Sequence, residues 1–414
     1  MRAQRSTIRI GRGLRGYDQR FWILLGVQLV VAVGFGAAMP FVSIYLHNQL
    51  GTPMSLVGTI MLVSALVASA GRILGGELAD RIGRRPVVLG GMAVRVVAFA
   101  IMAWVIHIRA PAFAVGAVFL LVRLAGAVVR PALMAMVADV VDPGRRVEAY
   151  ALFRIGSNAG WAIGPAIGGF LVATSYASLF LLTAAASLVG LLIVFRFTSE
   201  SIRAAEREAF SLRRLVDVAR DREFLAFAGW CVLLFLVMGQ FASTLGVFAT
   251  SIIGISEARL GMLFTVNGVA VVLMQWPAAR LTGRIGIRWG LVLGCLLYAT
   301  GYFSIAFAPG FAVLVGSMVI ITLGEVVFSP TSTAAVANMA PSARVGRYMG
   351  FFGLTEALGW SAGPFIGGLL FDRWSGIPVA LWGTIAAMGV VAAGGFAVSM
   401  RRRAGLPGGS LPVG

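Results

Sequence analysis

Of 414 residues, 59% are apolar and only 12% charged, with a mean hydropathy of +0.91, against about 25% charged residues in an ordinary soluble domain. A water-soluble globular fold is excluded. The formal net charge of +18 comes from 34 Arg and no Lys against 16 Asp plus Glu; it does not indicate nucleic-acid binding, because the arginines alternate with long apolar runs, as in a polytopic membrane protein.

In chain order, a basic tail (1–20) precedes apolar spans predicted at 21–46, 56–79, 86–107, 112–138, 147–174 and 176–197. The segment 198–223, rich in Arg and with Glu at 200, 206, 208 and 223, is too charged for hydrocarbon and is read as a linker. Within it, Leu212 to Val218 has the pattern of a short helix on the membrane surface. Six more spans are predicted at 224–252, 258–281, 289–307, 311–337, 345–371 and 379–400, before a basic tail at 401–414. Twelve spans of about 20 residues consume roughly 240 positions. No catalytic domain fits outside the membrane, and an enzyme is not expected. With the arginines at span ends counted with the adjoining loops, 26 fall in the tails and alternate loops, 3 in the other loops and 5 deeper within spans. Both termini are therefore expected in the cytoplasm, with the chain in a prokaryotic inner (plasma) membrane. Cys231 and Cys295 sit in different spans, and no His or acid grouping has metal spacing. Without Lys there is no phosphate-cradling loop for ATP, so ATP-driven transport is excluded and no cofactor is expected.

The halves 21–197 and 224–400 resemble each other. Gly160-Trp161-Ala162-Ile163-Gly164-Pro165-Ala166-Ile167-Gly168-Gly169-Phe170-Leu171 matches the stretch Gly359 to Leu370 at 8 of 12 positions, and Pro131 and Pro330 keep the same offset of 199. Tandem duplication explains this. The predicted fold is an all-α membrane protein of twelve transmembrane helices, two six-helix bundles related by a pseudo-two-fold axis, with a site between them near the midplane.

Between spans two and three stands Gly76-Glu77-Leu78-Ala79-Asp80-Arg81-Ile82-Gly83-Arg84-Arg85-Pro86. Gly83 permits a tight turn, Pro86 starts a helix, and Asp80 could be held by a cation or a helix N-terminus. A merely basic loop would explain the arginines, but not Gly76, Asp80 and Gly83 together. This string resembles the loop signature of the major facilitator superfamily, and the resemblance runs from Phe21 to Met400. It implies a conformational latch in which Asp80 meets the start of helix eleven and Arg84 meets Asp139 at the end of helix four. The second-half copy has Gly283 and Ile287 in place of Asp80 and Arg84, so the latch is expected on one side only. Phe119 and Arg123 resemble the start of the family's helix-four motif, which implies a proton-coupling role for Arg123; Gly126 and Ala127 depart from it.

The segment Gly160, Gly164, Pro165, Gly168, Gly169 resembles a motif of the family's drug:proton antiporter branch, and recurs as Gly359, Gly363, Pro364, Gly367, Gly368. Glycines at spacing four make a smooth strip for close helix packing, which generic packing would also explain. Arg123 and Arg130 are two helical turns apart on one face of span four. At about 2.5–3.5 kcal/mol per lipid-buried Arg, that face is expected to line the bundle interior, the alternative being an Arg that snorkels to the interface. The remaining polar residues inside spans are Gln28, Arg72, Arg95, Arg154, Asn158, Gln240, Asn267, Gln275, Glu325 and Glu356. Arg130, Arg154, Asn158, Trp161, Gln240 and Trp360 are candidates to line a substrate cavity, with core packing an equal alternative for the two tryptophans. Glu325 and Glu356 are the acids deep in spans, and each is either a proton carrier or half of a structural ion pair.

The function expected is proton-coupled export of amphipathic or drug-like small molecules by alternating access, carried out by a monomer in the lipid bilayer. Its rivals are uptake or facilitated diffusion of a small anionic metabolite, which the Arg123, Arg130 and Arg154 set favours, and a non-transporting membrane sensor or assembly partner.

Overall fold

In a computed structural model of the chain, residues 16–200, 218, 220–341 and 344–404 are described, the side chains of Val147 and 401–404 excepted. Most of the 198–223 linker, including all but Val218 of the helix expected at Leu212 to Val218, and most of both tails lie outside them.

Each apolar run becomes a helix whose ends are set by local chemistry. Helix α1 (Gln19–Ile44) opens at Asp18, whose carboxylate accepts the Arg20 N–H, and closes in a π-helical turn at Tyr45–Gln49. Pro53 starts α2 (Met54–Ile82), and Gly83 ends it at φ +107°, a conformation that favours glycine. There follow α3 (Arg84–His107), α4 (Ala112–Val140), α5 (Arg146–Val172) and α6 (Tyr176–Phe197), the last capped by the Ser175 hydroxyl. Across the linker, α7 (Arg222–Ser251) is interrupted by a tight turn at Gly239–Ala242. The 49-residue run Glu257–Ile305 is broken by Gly286 at φ +80° into α8 (257–285) and α9 (287–305). The chain continues as α10 (Phe311–Met339), α11 (Val345–Trp374) and α12 (Pro378–Ala404).

Among the described residues, nine helices are long and apolar enough to cross a membrane, one of them the 49-residue run. At about 1.5 Å per residue that run is far longer than one bilayer crossing, so it supplies two. The other two crossings are α5 and α11, 27 and 30 residues long, which carry Arg154 and Glu356 within their spans. The twelve-helix, two-bundle fold expected from the sequence is the fold observed.

Within the first half α1 packs on α5, α2 on α4, and α3 on α4 and α6. In the second, α7 packs on α11, and α9 meets α10 where Gly294 and Gly301 leave room for Phe328 and Ile321. The halves meet along two helix pairs, α2 with α11 and α5 with α8. The main core is aromatic in the second bundle, with Trp382 stacked on Tyr302 at 5.7 Å and crossed by Phe248 at 5.3 Å.

Candidate substrate cleft and its gates

The repeated glycine segment does the same two jobs in each half. Its strip at spacing four faces the first helix of its own bundle: a Cβ on Gly164 would lie 2.6 Å from the Ala37 nitrogen of α1, and one on Gly363 would lie 2.8 Å from the Gly239 Cα of α7. The Pro and the last Gly face the other bundle. Gly169 lies against Glu257 and Ala258 of α8, and the Pro165 carbonyl against Gly261; Gly368 lies against Met54 and Ser55 of α2, and the Pro364 carbonyl against Gly58. One short motif thus builds both the bundle and the bundle–bundle contact.

Those contacts gather at the face opposite the arginine-rich loops. There Asp372 at the end of α11 accepts the N–H groups of Met54 and Ser55, Tyr176 donates to Glu257 at 3.0 Å, and Asn48 donates to Thr250 at 2.9 Å. Deeper in, Thr265 of α8 donates to the Ala162 carbonyl of α5 at 3.1 Å. These hydrogen bonds between described residues of the two bundles all lie in this half of the molecule. Glu356 is two turns further toward the basic face than Pro364, about 12 Å along α11, and Arg154 is two turns beyond Ala162 on α5. Arg130, Arg154 and Glu356 are exposed here although they stand on the two bundles within electrostatic range of each other, so a cleft separates the bundles toward the basic face.

Opposite charges line it unequally. Arg130 of α4 and Arg154 of α5 lie within electrostatic range of Glu356 on α11, across the cleft. Arg72 of α2 lies in range of both Arg123 and Arg130, and Arg123 in range of Arg95. Asn158 and Trp161, the latter 42% exposed, share the α5 face with Arg154. Trp161 meets the Phe35 ring edge-on at 5.9 Å. Glu325 is placed differently: it accepts a hydrogen bond from Asn267 of α8 at 3.1 Å, and Asn267 also donates to Thr322 at 2.9 Å. A neutral amide holds one acid, whereas arginines face the other.

At the basic face, Arg84 pairs with Asp139 at the end of α4 and donates to the Ala135 carbonyl at 2.9 Å. The side chains of the pair are 19% and 21% exposed. Glu200 accepts the N–H groups of Arg84 and Arg85 at 3.2 and 3.1 Å, capping α3. Asp80 is in the last turn of α2 and exposed, and Gly76 lies one turn before it, partly covered.

The sequence profile of the Major Facilitator Superfamily matches residues 24–253 and 232–412, nearly the whole chain. The chain belongs to the major facilitator superfamily. It is 28% identical to the uncharacterized MFS-type transporter YttB of Bacillus subtilis (strain 168) over 361 residues, covering 85% of this chain and 88% of that one. It is also 28% identical to the multidrug resistance protein MdtH of Edwardsiella ictaluri (strain 93-146) over 380 residues, 89% and 91% of the two chains. Among solved structures, the nucleoside transporter NupG superposes with a TM-score of 0.78 at 15% identity, covering 93% of this chain and 100% of that one. A POT family transporter in complex with a thioalcohol-conjugated peptide gives 0.77 at 16% identity, covering 94% and 98%. This major facilitator is a multi-pass secondary transporter, not an enzyme.

Within that architecture two expected cavity residues are placed elsewhere. Gln240, 1% exposed, spans the break in α7: its amide donates to the Leu236 and Gly363 carbonyls, both at 2.9 Å, and accepts from Thr244 at 2.7 Å. It satisfies backbone groups that the turn in the helix exposes, so it belongs to the bundle wall. Trp360 packs against the main core rather than standing free like its counterpart Trp161. Asp372 and Phe35 were not among the expected site residues. An acid at a helix end and one aromatic among 27 Phe residues carry no sequence signal; their roles come from what the other helices bring to them.

Proposed function

We propose that this transporter exports amphipathic, drug-like molecules in exchange for protons by alternating access, acting as a monomer in a prokaryotic inner membrane with both termini in the cytoplasm. In this orientation the cleft opens to the cytoplasm and the contacts around Asp372 close the outer side. The observation that carries the reading is the unequal setting of the two membrane acids. Glu325, held by the neutral Asn267, can change protonation without stranding a partner charge, and is assigned the coupling proton. Glu356, opposite Arg130 and Arg154, is assigned to sense the state of the cleft. Arg123 lies one step behind this pair through Arg72 and sets the potential there. Arg130, Arg154, Asn158 and Trp161 receive the substrate, and Gly76, Asp80, Gly83, Arg84 and Asp139 form the latch at the cytoplasmic face. The likeness to the multidrug resistance protein MdtH supports a multidrug substrate range.

The test is transport in proteoliposomes of fixed orientation, with and without a pH gradient. Uphill movement of a lipophilic dye that collapses with the gradient is the expected result. Gradient-independent equilibration of a small carboxylate would instead establish the rival reading, facilitated diffusion of an anionic metabolite, which the arginine excess of the cleft favours.

A further inference from the structure

We infer that Arg95 and Arg123, set against Phe35, form a subsite for the anionic head of an amphipathic substrate: a carboxylate, sulfonate or phosphate on an apolar body. The inference deepens the export reading by naming the chemistry of its substrate, and it rests on that reading.

Arg95 lies in the middle of α3 and is only 7% exposed. Its guanidinium carbon lies 5.3 Å from the centre of the Phe35 ring and 5.4 Å from that of Phe99. Aromatic contacts satisfy the charge through the faces of a guanidinium, but its five N–H donors point outward in the plane. The Nε and Nη2 of Arg95 have no hydrogen-bond partner among the described residues, nor does the Nε of Arg123. Arg123 also reaches Phe35, at 5.9 Å, and lies in electrostatic range of Arg95. Two like charges in one apolar wall repel each other, and neither forms an ion pair with a described acid. Gly126 of α4 lies beside Arg95: a Cβ there would stand in ordinary contact with Nη1, at 3.7 Å. An anion would accept the unused donors and cancel the repulsion, and a planar oxyanion matches the guanidinium fork.

The substrate's apolar part has a surface next to this pair. Phe35 meets the exposed Trp161, so a ring or chain lying on Trp161 would place its head group toward Arg123 and Arg95. Glu356, on the opposite wall, faces Arg130 and Arg154 and leaves the inner pair for the ligand.

The experiment is equilibrium binding to the full-length purified protein at neutral pH, with 2-naphthoate, 2-naphthol and sulfate as probes. Naphthoate should bind about tenfold or more tightly than naphthol, with sulfate competing weakly. Arg95→Gln and Arg123→Gln should each erase that advantage while leaving naphthol binding unchanged, and Arg123→Lys should retain part of it. Equal affinity for naphthoate and naphthol, or equal losses for both in the variants, overturns the inference. So does sulfate binding as tightly as naphthoate, which would make this a site for a free inorganic anion. No gradient enters these measurements. Loss of gradient-driven export alongside an intact naphthoate preference would count against proton coupling alone, and an absent preference alongside intact export would count against the subsite alone.

Discussion

Asp372 of α11 accepts the backbone N–H of Met54 at 2.7 Å and that of the next residue at 2.8 Å, so a carboxylate of one bundle caps the first turn of a helix in the other. Loss of such a cap costs about 0.5–2 kcal/mol. Between two states of similar energy, 1–2 kcal/mol changes their ratio roughly 5- to 30-fold. Asp372→Ala should therefore favour the state open on the outer side. An impermeant thiol reagent applied to a cysteine placed at Phe365, which lies against Gly58, should react several times faster in the Asp372→Ala background. Unchanged labelling would show that the cap does not hold the closed side.

Asp80 occupies the opposite end of the same helix pair, in the last turn of α2. The family resemblance has it meeting the start of α11. Helix-end charge contacts are worth about 0.3–2 kcal/mol, so Asp80→Asn should slow cycling more than it weakens equilibrium substrate binding. Wild-type turnover in a correctly inserted Asp80→Asn protein would refute this.

The two membrane acids should separate by phenotype. Glu325→Gln should abolish uphill export and its pH dependence while counterflow at equal substrate concentrations persists. Glu356→Gln should shift substrate affinity instead. Breaking a buried ion pair costs about 3–5 kcal/mol, but Glu356 is solvent-exposed in the cleft, nearer the ~0–1 kcal/mol of surface pairs. Its variant should melt within a few degrees of wild type. Full gradient-driven export in both variants would end the proton-antiport reading.

Glycines at the contacts of the repeated motif should divide by whether the contact lies within one bundle or between the two. In Gly164→Ala the new methyl would meet the α1 backbone at 2.6 Å, inside one rigid bundle, so overpacking of about 1–3 kcal/mol should appear as lost thermal stability. In Gly58→Ala the obstacle is the Phe365 Cα at 2.6 Å, across the bundle interface. That clash is relieved by opening, so the variant should keep its melting temperature and shift toward the outward-open state in the labelling assay. Gly90→Ala, where nothing lies within 4 Å, is the control for both.

Hydropathy, charge alternation and the internal repeat were enough to define twelve crossings and two bundles, because a bilayer leaves a chain of this composition no other way to satisfy its backbone. The Arg84–Asp139 pair was legible through the resemblance. The cleft was not. Arg95, Arg123, Glu325 and Glu356 all read as polar residues inside apolar spans, and sequence spacing relates residues only within one helix. Whether an acid meets arginines, as Glu356 does, or an amide, as Glu325 does, depends on how separate helices rotate against each other. Gln240 shows the same limit in reverse: its polarity suggested a cavity, and the break in α7 turned it into an internal brace. Local composition determined which segments leave water; packing between distant helices decided which of their polar groups face each other.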